Sequence, residues 1–160
     1  MIVAHPDDES LFAGAELIAN WKDYLVIAID KGDEPIRKKE FLNAMSFIGI
    51  NQFDIWENYT KDSGYRTKRL KKRILSLLKE NNFRKIVSHG PNGEYGHSRH
   101  IACHNLLVEI CPDILWYFSN KKKISSDLLK KKKQLLKFYS SQKEILKWYD
   151  IRFESLEKYT

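Results

Sequence analysis

Three observations predict an α/β chain of Rossmann-like, three-layer type, with a mainly parallel β-sheet flanked by helices. Short apolar runs alternate with longer helical patterns from the start. The clearest run, Tyr24 to Ile29, is too uniformly apolar for a sheet with one wet face. A Gly-, Pro- and Asn-rich loop leaves one of the runs, as site-bearing loops leave the C-terminal ends of parallel strands.

In order, Ile2-Val3-Ala4 reads as a very short first strand and Leu11 to Trp21 as an amphipathic helix, with Tyr24 to Ile29 as the second strand. Pro35 suits the first turn of a second helix, whose apolar face carries Phe41, Leu42, Met45 and Ile48 and which Gly49 stops. Phe53 to Trp56 makes a weaker third strand. Leu70, Ile74, Leu77 and Leu78 mark a helix over Tyr65 to Asn81, and Lys85 to Ser88 a fourth strand. The loop His89 to Gly96 follows. A helix over His97 to Cys111, stopped by Pro112, leads to a last strand over Ile114 to Phe118. From about Ser125 the chain reads as helical.

With 160 residues and no Gly or Pro linker, residues 1–160 read as one catalytic-size domain whose C-terminal part, from about 121, is Lys-rich. At 42% hydrophobic residues the chain is too apolar to be disordered, so any metal serves chemistry rather than folding. The charge of +7 raises the possibility of a non-enzymatic protein that binds nucleic acid or an anionic surface. The excess lies in Lys68 to Arg73, Lys121 to Lys123 and Lys130 to Lys133, which read instead as solvated helix faces without interleaved aromatics. Cys103 and Cys111, about 12 Å apart on one predicted helix, cannot form a disulfide and read as buried thiols. No signal or membrane-length segment is evident, so the expectation is cytoplasmic, with no nucleic-acid partner and an unknown oligomeric state.

Two clusters carry chemistry, His5-Pro6-Asp7-Asp8-Glu9 after the first strand and Tyr95-Gly96-His97-Ser98-Arg99-His100 after the fourth. In a parallel sheet these ends can converge on one pocket. Hydrolytic zinc takes about three imidazole or carboxylate ligands with one position for water, and His5, Asp8 and His100 supply that set. Adjacent carboxylates on a turn point differently, which leaves Asp7 free as a base. His97, three before His100, can protonate a leaving amine or stabilise an oxyanion, and Tyr95 is a second donor. Asn92 is a candidate for substrate contact, and His89 for a hydrogen-bonding, substrate or structural role. The competing reading, a turn whose acids complement a helix N-terminus, explains the first cluster alone but not both. No Gly-x-Gly-x-x-Gly follows a strand, which removes support for dinucleotide binding.

Ala4-His5-Pro6-Asp7-Asp8-Glu9 together with Gly96-His97-x-x-His100 resembles the PIG-L/LmbE-like de-N-acetylases. Gly14, Arg37-x-x-Glu40, Ile48-Gly49-Ile50 and Tyr139-Ser140-Ser141-Gln142 agree in order along nearly the whole chain. The resemblance implies a Rossmann-like fold and a metal, usually zinc though another divalent ion is possible, on His5, Asp8 and His100. It also implies Asp7 as general base, His97 as acid or electrostatic partner, Tyr95 as carbonyl polariser, and Arg37 as a contact to substrate beyond the sugar. The chain is short for the family, which implies reduced substrate loops. The implied reaction is removal of acetyl from an N-acetylglucosamine-type sugar or glycoconjugate. A zinc amidase acting on another N-acylated small molecule is the enzymatic alternative.

Overall fold

The computed structural model describes residues 1–57 and 68–160. Strands β1 (Ile2–Val3), β2 (Val26–Ala28) and β3 (Phe53–Ile55) form one parallel ladder. β4 (Ile86–Ser88) pairs in parallel with β5 (Leu115–Lys123), and β5 in antiparallel with β6 (Phe153–Lys158). β1 lies beside β4. The Ala4 N–H just beyond β1 donates to His89 Nε2 just beyond β4 at 2.9 Å, tying the two strand ends together. Read across both ladders the order is 3-2-1-4-5-6, and the β1/β4 junction is the switch point where such sheets open a crevice.

Helices α1 (Asp8–Asn20) and α2 (Pro35–Ile48) cover one face. Leu11, Phe12, Leu17, Phe41 and Met45 pack there with Val3 and Ala28 of the sheet. On the other face α3 (Lys68–Glu80) and α5 (Ser98–Ile110), the latter preceded by the single turn α4 (Gly93–Gly96), bring Leu70, Ile74, Cys103 and Leu106 against Ile2, Ile27 and Ile86. Pro35 opens α2, and Gly49 closes it at φ +90°, where a side chain is strained. Leu42, expected on the buried face, is exposed, and Ala44 takes its place in the core. The expected start of the α3 helix at Tyr65 lies outside the described residues.

The C-terminal third departs from the expectation. Helix α6 (Ser126–Leu136) and the single turn α7 (Lys143–Leu146) are present, but the chain then returns as β6, and β5 runs on through Lys121 to Lys123. β6 is illegible by alternation because its most buried position is the charged residue Glu154. Glu154 accepts from the Ala15 and Glu16 N–H groups at 3.0 and 2.6 Å, just past the break in α1 at Ala13. Its carboxylate therefore satisfies donors that the broken helix leaves open.

Lys132, expected on a solvated face, is 0% exposed and meets Glu154 at 2.6 Å. Gly14 lets α6 come this close, since a Cβ there would sit 3.2 Å from Lys132 Cγ. Lys121 likewise pairs with Glu157, and Lys71 with Glu109. The basic runs are thus partly paired within the chain, Lys132 in its interior and Lys121 and Lys71 on its surface. Lys132→Met should destabilise the fold by about 3–5 kcal/mol in denaturant titration, because it strands a buried carboxylate. Charge reversal of exposed Lys130 and Lys131 should change stability by no more than about 0.5 kcal/mol.

Candidate metal and catalytic site

The turn after β1 places three consecutive acids in three environments. Asp7 stands at φ +112°, a strained conformation for a residue with a side chain, and its carbonyl accepts the Ser10 and Leu11 N–H groups that start α1. Glu9 turns inward, fully buried. It accepts from the Asp7 N–H at 3.1 Å, the Ser10 hydroxyl at 2.6 Å and the Tyr139 hydroxyl at 2.5 Å. Glu9 is therefore an anchor that fixes the Asp7 backbone and docks the C-terminal segment. Glu40 does the same one helix away, accepting from the Ser140 hydroxyl, the Ser141 N–H and the Ser141 hydroxyl.

Asp8 lies between imidazoles. Its Oδ2 accepts the His5 N–H at 2.7 Å and lies 3.3 Å from His5 Nδ1, while Oδ1 lies 3.3 Å from His100 Nε2. Ligand atoms on a tetrahedral zinc, at bonds of about 2.0–2.2 Å, are separated by about 3.4 Å, so these spacings suit a shared metal. His100 is 0% exposed, and its Nε2 has no hydrogen-bond partner. A buried imidazole nitrogen facing a carboxylate without a hydrogen bond is the donor chemistry that a divalent cation completes. Two histidine-rich groups have ligand atoms close enough for one ion, His5/His97/His100 and Asp8/His89/His100. Neither is the expected set His5, Asp8 and His100, which shares two residues with each.

Charge follows the same geometry. Burial works against ionising Asp8, but His100 and His5 beside it hold its carboxyl well below the usual range. Burial also opposes a proton on His100, yet the Asp8 and Glu94 carboxylates hold it up to about 10. Asp7 goes the other way: burial and the neighbouring Asp8 raise it, with Arg37 opposing.

The structure brings Asp7, Tyr95, His97 and Arg37 to one cavity of about 630 Å³ together with His5 and Asp8. Arg37 donates through one terminal nitrogen to Asp7 Oδ1 at 2.6 Å and to the Pro6 carbonyl, which ties it to the turn at the cavity wall. His97 is the cap residue of α5 rather than part of the helix, and its ring stacks on His100 at 4.4 Å. Its Nδ1 accepts the Arg99 N–H, which leaves the ring one proton, on Nε2. Burial, with His100 and His5 alongside, pushes His97 down to about 4. Asn92 lies elsewhere, in a separate hollow of about 290 Å³ beside Tyr117 and Tyr149. His104 supports the His89 carbonyl from behind, at 2.9 Å, and Cys103 is core.

Two residues with no role in the sequence reading stand out. Glu94 holds both His89 and His100, and Trp148, 59% exposed, meets Tyr95 edge-on at 5.1 Å at the cavity rim. Spacing could not reveal Glu94, since its carboxylate turns back only because its own φ is +57°.

No helix among the described residues is long and apolar enough to cross a membrane.

Residues 1–111 match the PIG-L family model, described as GlcNAc-PI de-N-acetylase. The uncharacterized protein L374 of Acanthamoeba polyphaga mimivirus is 34% identical over 168 residues, covering 92% of this chain and 72% of that protein. Among solved structures, N,N'-diacetylchitobiose deacetylase from Pyrococcus horikoshii aligns with a TM-score of 0.73 at 14% identity, over 98% of this chain and 82% of that one. GalB, the 4-carboxy-2-hydroxymuconate hydratase of Pseudomonas putida KT2440, aligns with a TM-score of 0.72 at 14% identity, over 98% and 93%. At such identity these two likenesses speak for the fold, which hosts more than one reaction. The family match spans both strand-end clusters and more than half of the sequence, and on that ground the chain belongs to the PIG-L family.

Proposed function

We propose that this protein is a zinc-dependent hydrolase that removes the acetyl group from an N-acetylated amino sugar of the N-acetylglucosamine type. The observation that carries the reading is the buried, unpartnered His100 Nε2 facing Asp8, with His5 on the other side of the same carboxylate. In this reading His5, Asp8 and His100 hold the metal. When bound, a divalent ion supplies Lewis-acid activation of water and polarisation of the amide carbonyl at neutral pH.

The chain's own groups do the rest. Asp7 is bonded to Arg37 and lines the cavity, so its carboxylate accepts the proton of the attacking water. His97, with its proton on Nε2, and Tyr95 donate to the oxygen that gains charge. The proton taken by Asp7 then passes to the nitrogen, directly or through His97, and acetate and a free amine leave. Buried, free Cys103 and Cys111 support a reducing compartment such as the cytoplasm.

Trp148 and Tyr95 form an aromatic wall suited to the apolar face of a sugar ring. Trp148 stands outside residues 1–111, so the substrate side of the cavity is where family likeness informs least. That observation keeps a second reading in view, an amidase for another N-acylated small molecule.

The test is a screen of N-acetylated sugars and simple N-acyl amides with zinc-loaded protein, scoring acetate and primary amine together. Equal amounts of both from an N-acetylglucosaminide are expected. Trp148→Ala should then raise KM for the sugar about tenfold with kcat nearly unchanged. Turnover of simple amides but not of sugars would select the second reading.

A further inference from the structure

The loop between β4 and α5 buries one acid, Glu94, against two histidines. Its Oε2 lies 2.8 Å from His89 Nδ1 and 2.7 Å from His100 Nδ1, and its Oε1 accepts the Gly90 N–H at 2.7 Å. The two imidazoles stack at 3.9 Å with planes 20° apart, so one oxygen reaches both. Glu94 adopts φ +57° to do this, between Gly93 at +58° and Gly96 at +88°. A left-handed conformation at a non-glycine residue persists where the surroundings hold it, and here three hydrogen bonds do so.

We propose that Glu94 is a positioning residue that fixes the tautomers of His89 and His100 together and so prepares the metal site. A carboxylate oxygen can only accept, so both Nδ1 atoms must carry hydrogen. On His100 this leaves Nε2, the unpartnered atom 3.3 Å from Asp8 Oδ1, as the nitrogen that gives up its proton when a metal binds. On His89 it makes Nε2 an acceptor, as the 2.9 Å bond from the Ala4 N–H requires. One side chain thereby links the second cluster to the turn that carries His5 and Asp8. The His100 half of the inference rests on the proposed metal site; the His89 half does not.

Glu94→Gln gives a sharp test because an amide cannot satisfy all three neighbours. With its oxygen toward the histidines, its NH2 faces the Gly90 N–H. With its oxygen toward Gly90, its NH2 faces both Nδ1 atoms and demands hydrogen on both Nε2 atoms. That would block His100 as a ligand and break the bond to Ala4.

Zinc affinity would be measured by competition with a chromophoric chelator, and histidine tautomers by 15N NMR of the zinc-loaded protein. In the wild type the His89 proton is expected on Nδ1. Glu94→Gln is expected to bind zinc about 10–100-fold more weakly and to shift the His89 ring signals. Glu94→Asp, which keeps an acceptor-only group, should recover part of the affinity and covers the case in which the amide variant does not fold. Unchanged zinc affinity in both variants, or a wild-type His89 proton on Nε2, would overturn the proposal. Were the wild type itself to take no zinc, the proposed function would fall, and the wild-type His89 tautomer would still decide the role of Glu94.

Discussion

Asp7→Asn should lower kcat by about 10²–10⁴ while the protein keeps its fold and its metal. The amide oxygen can still accept from Arg37, so the contact that steadies the turn survives at this position. The backbone at φ +112° is held by the Glu9 carboxylate on the Asp7 N–H and by the start of α1, neither of which involves the Asp7 side chain. Only the ability to take a proton is removed. Rate and metal content measured on the same preparation give the result. A dead variant that had also lost its metal would move Asp7 from base to ligand.

His100→Ala should fail in the opposite way, losing the metal first and activity as a consequence. The residue contributes the buried Nε2 beside Asp8 Oδ1 and half of the Glu94 bridge. Metal affinity should fall by more than the roughly 10–100-fold typical when only an outer-shell partner is removed. Elemental analysis after dialysis against trace-metal buffer reads this directly. Metal content equal to the wild type would exclude His100 as a necessary ligand. Asp8→Asn belongs with His100→Ala: it should weaken binding, with activity partly restored by excess metal.

Much of the molecule follows from its pattern of residues, and the gaps have physical causes. The parallel strands and the helices between them are written in uniform apolar runs and helical spacing, and Gly49 and Pro35 bound α2 as their backbone chemistry requires. The two His and acid clusters converge because the strands that carry them, β1 and β4, lie side by side. β6 escaped because Glu154 occupies the inward position that an apolar residue would have flagged. Lys132 escaped for the matching reason, since a lysine among lysines gives no sign that one of them is buried on a carboxylate. Arg37 and Glu40 were visible as a pair, but their partners, Asp7 on one side and Ser140 and Ser141 on the other, are contacts across the fold. Asn92 and Tyr95 share the loop from His89 to Gly96, yet they line different hollows, which sequence proximity does not reveal.

In the proposed site His5, Asp8 and His100 share one metal while Asp7 stays free of it. Anomalous diffraction at the zinc absorption edge, from crystals grown with zinc, locates the ion without reference to activity. One strong peak is expected at about 2.0–2.2 Å from a His5 ring nitrogen, an Asp8 oxygen and His100 Nε2. A peak bonded to Asp7, one on His5, His97 and His100 that leaves Asp8 out, or no peak at these residues would contradict it.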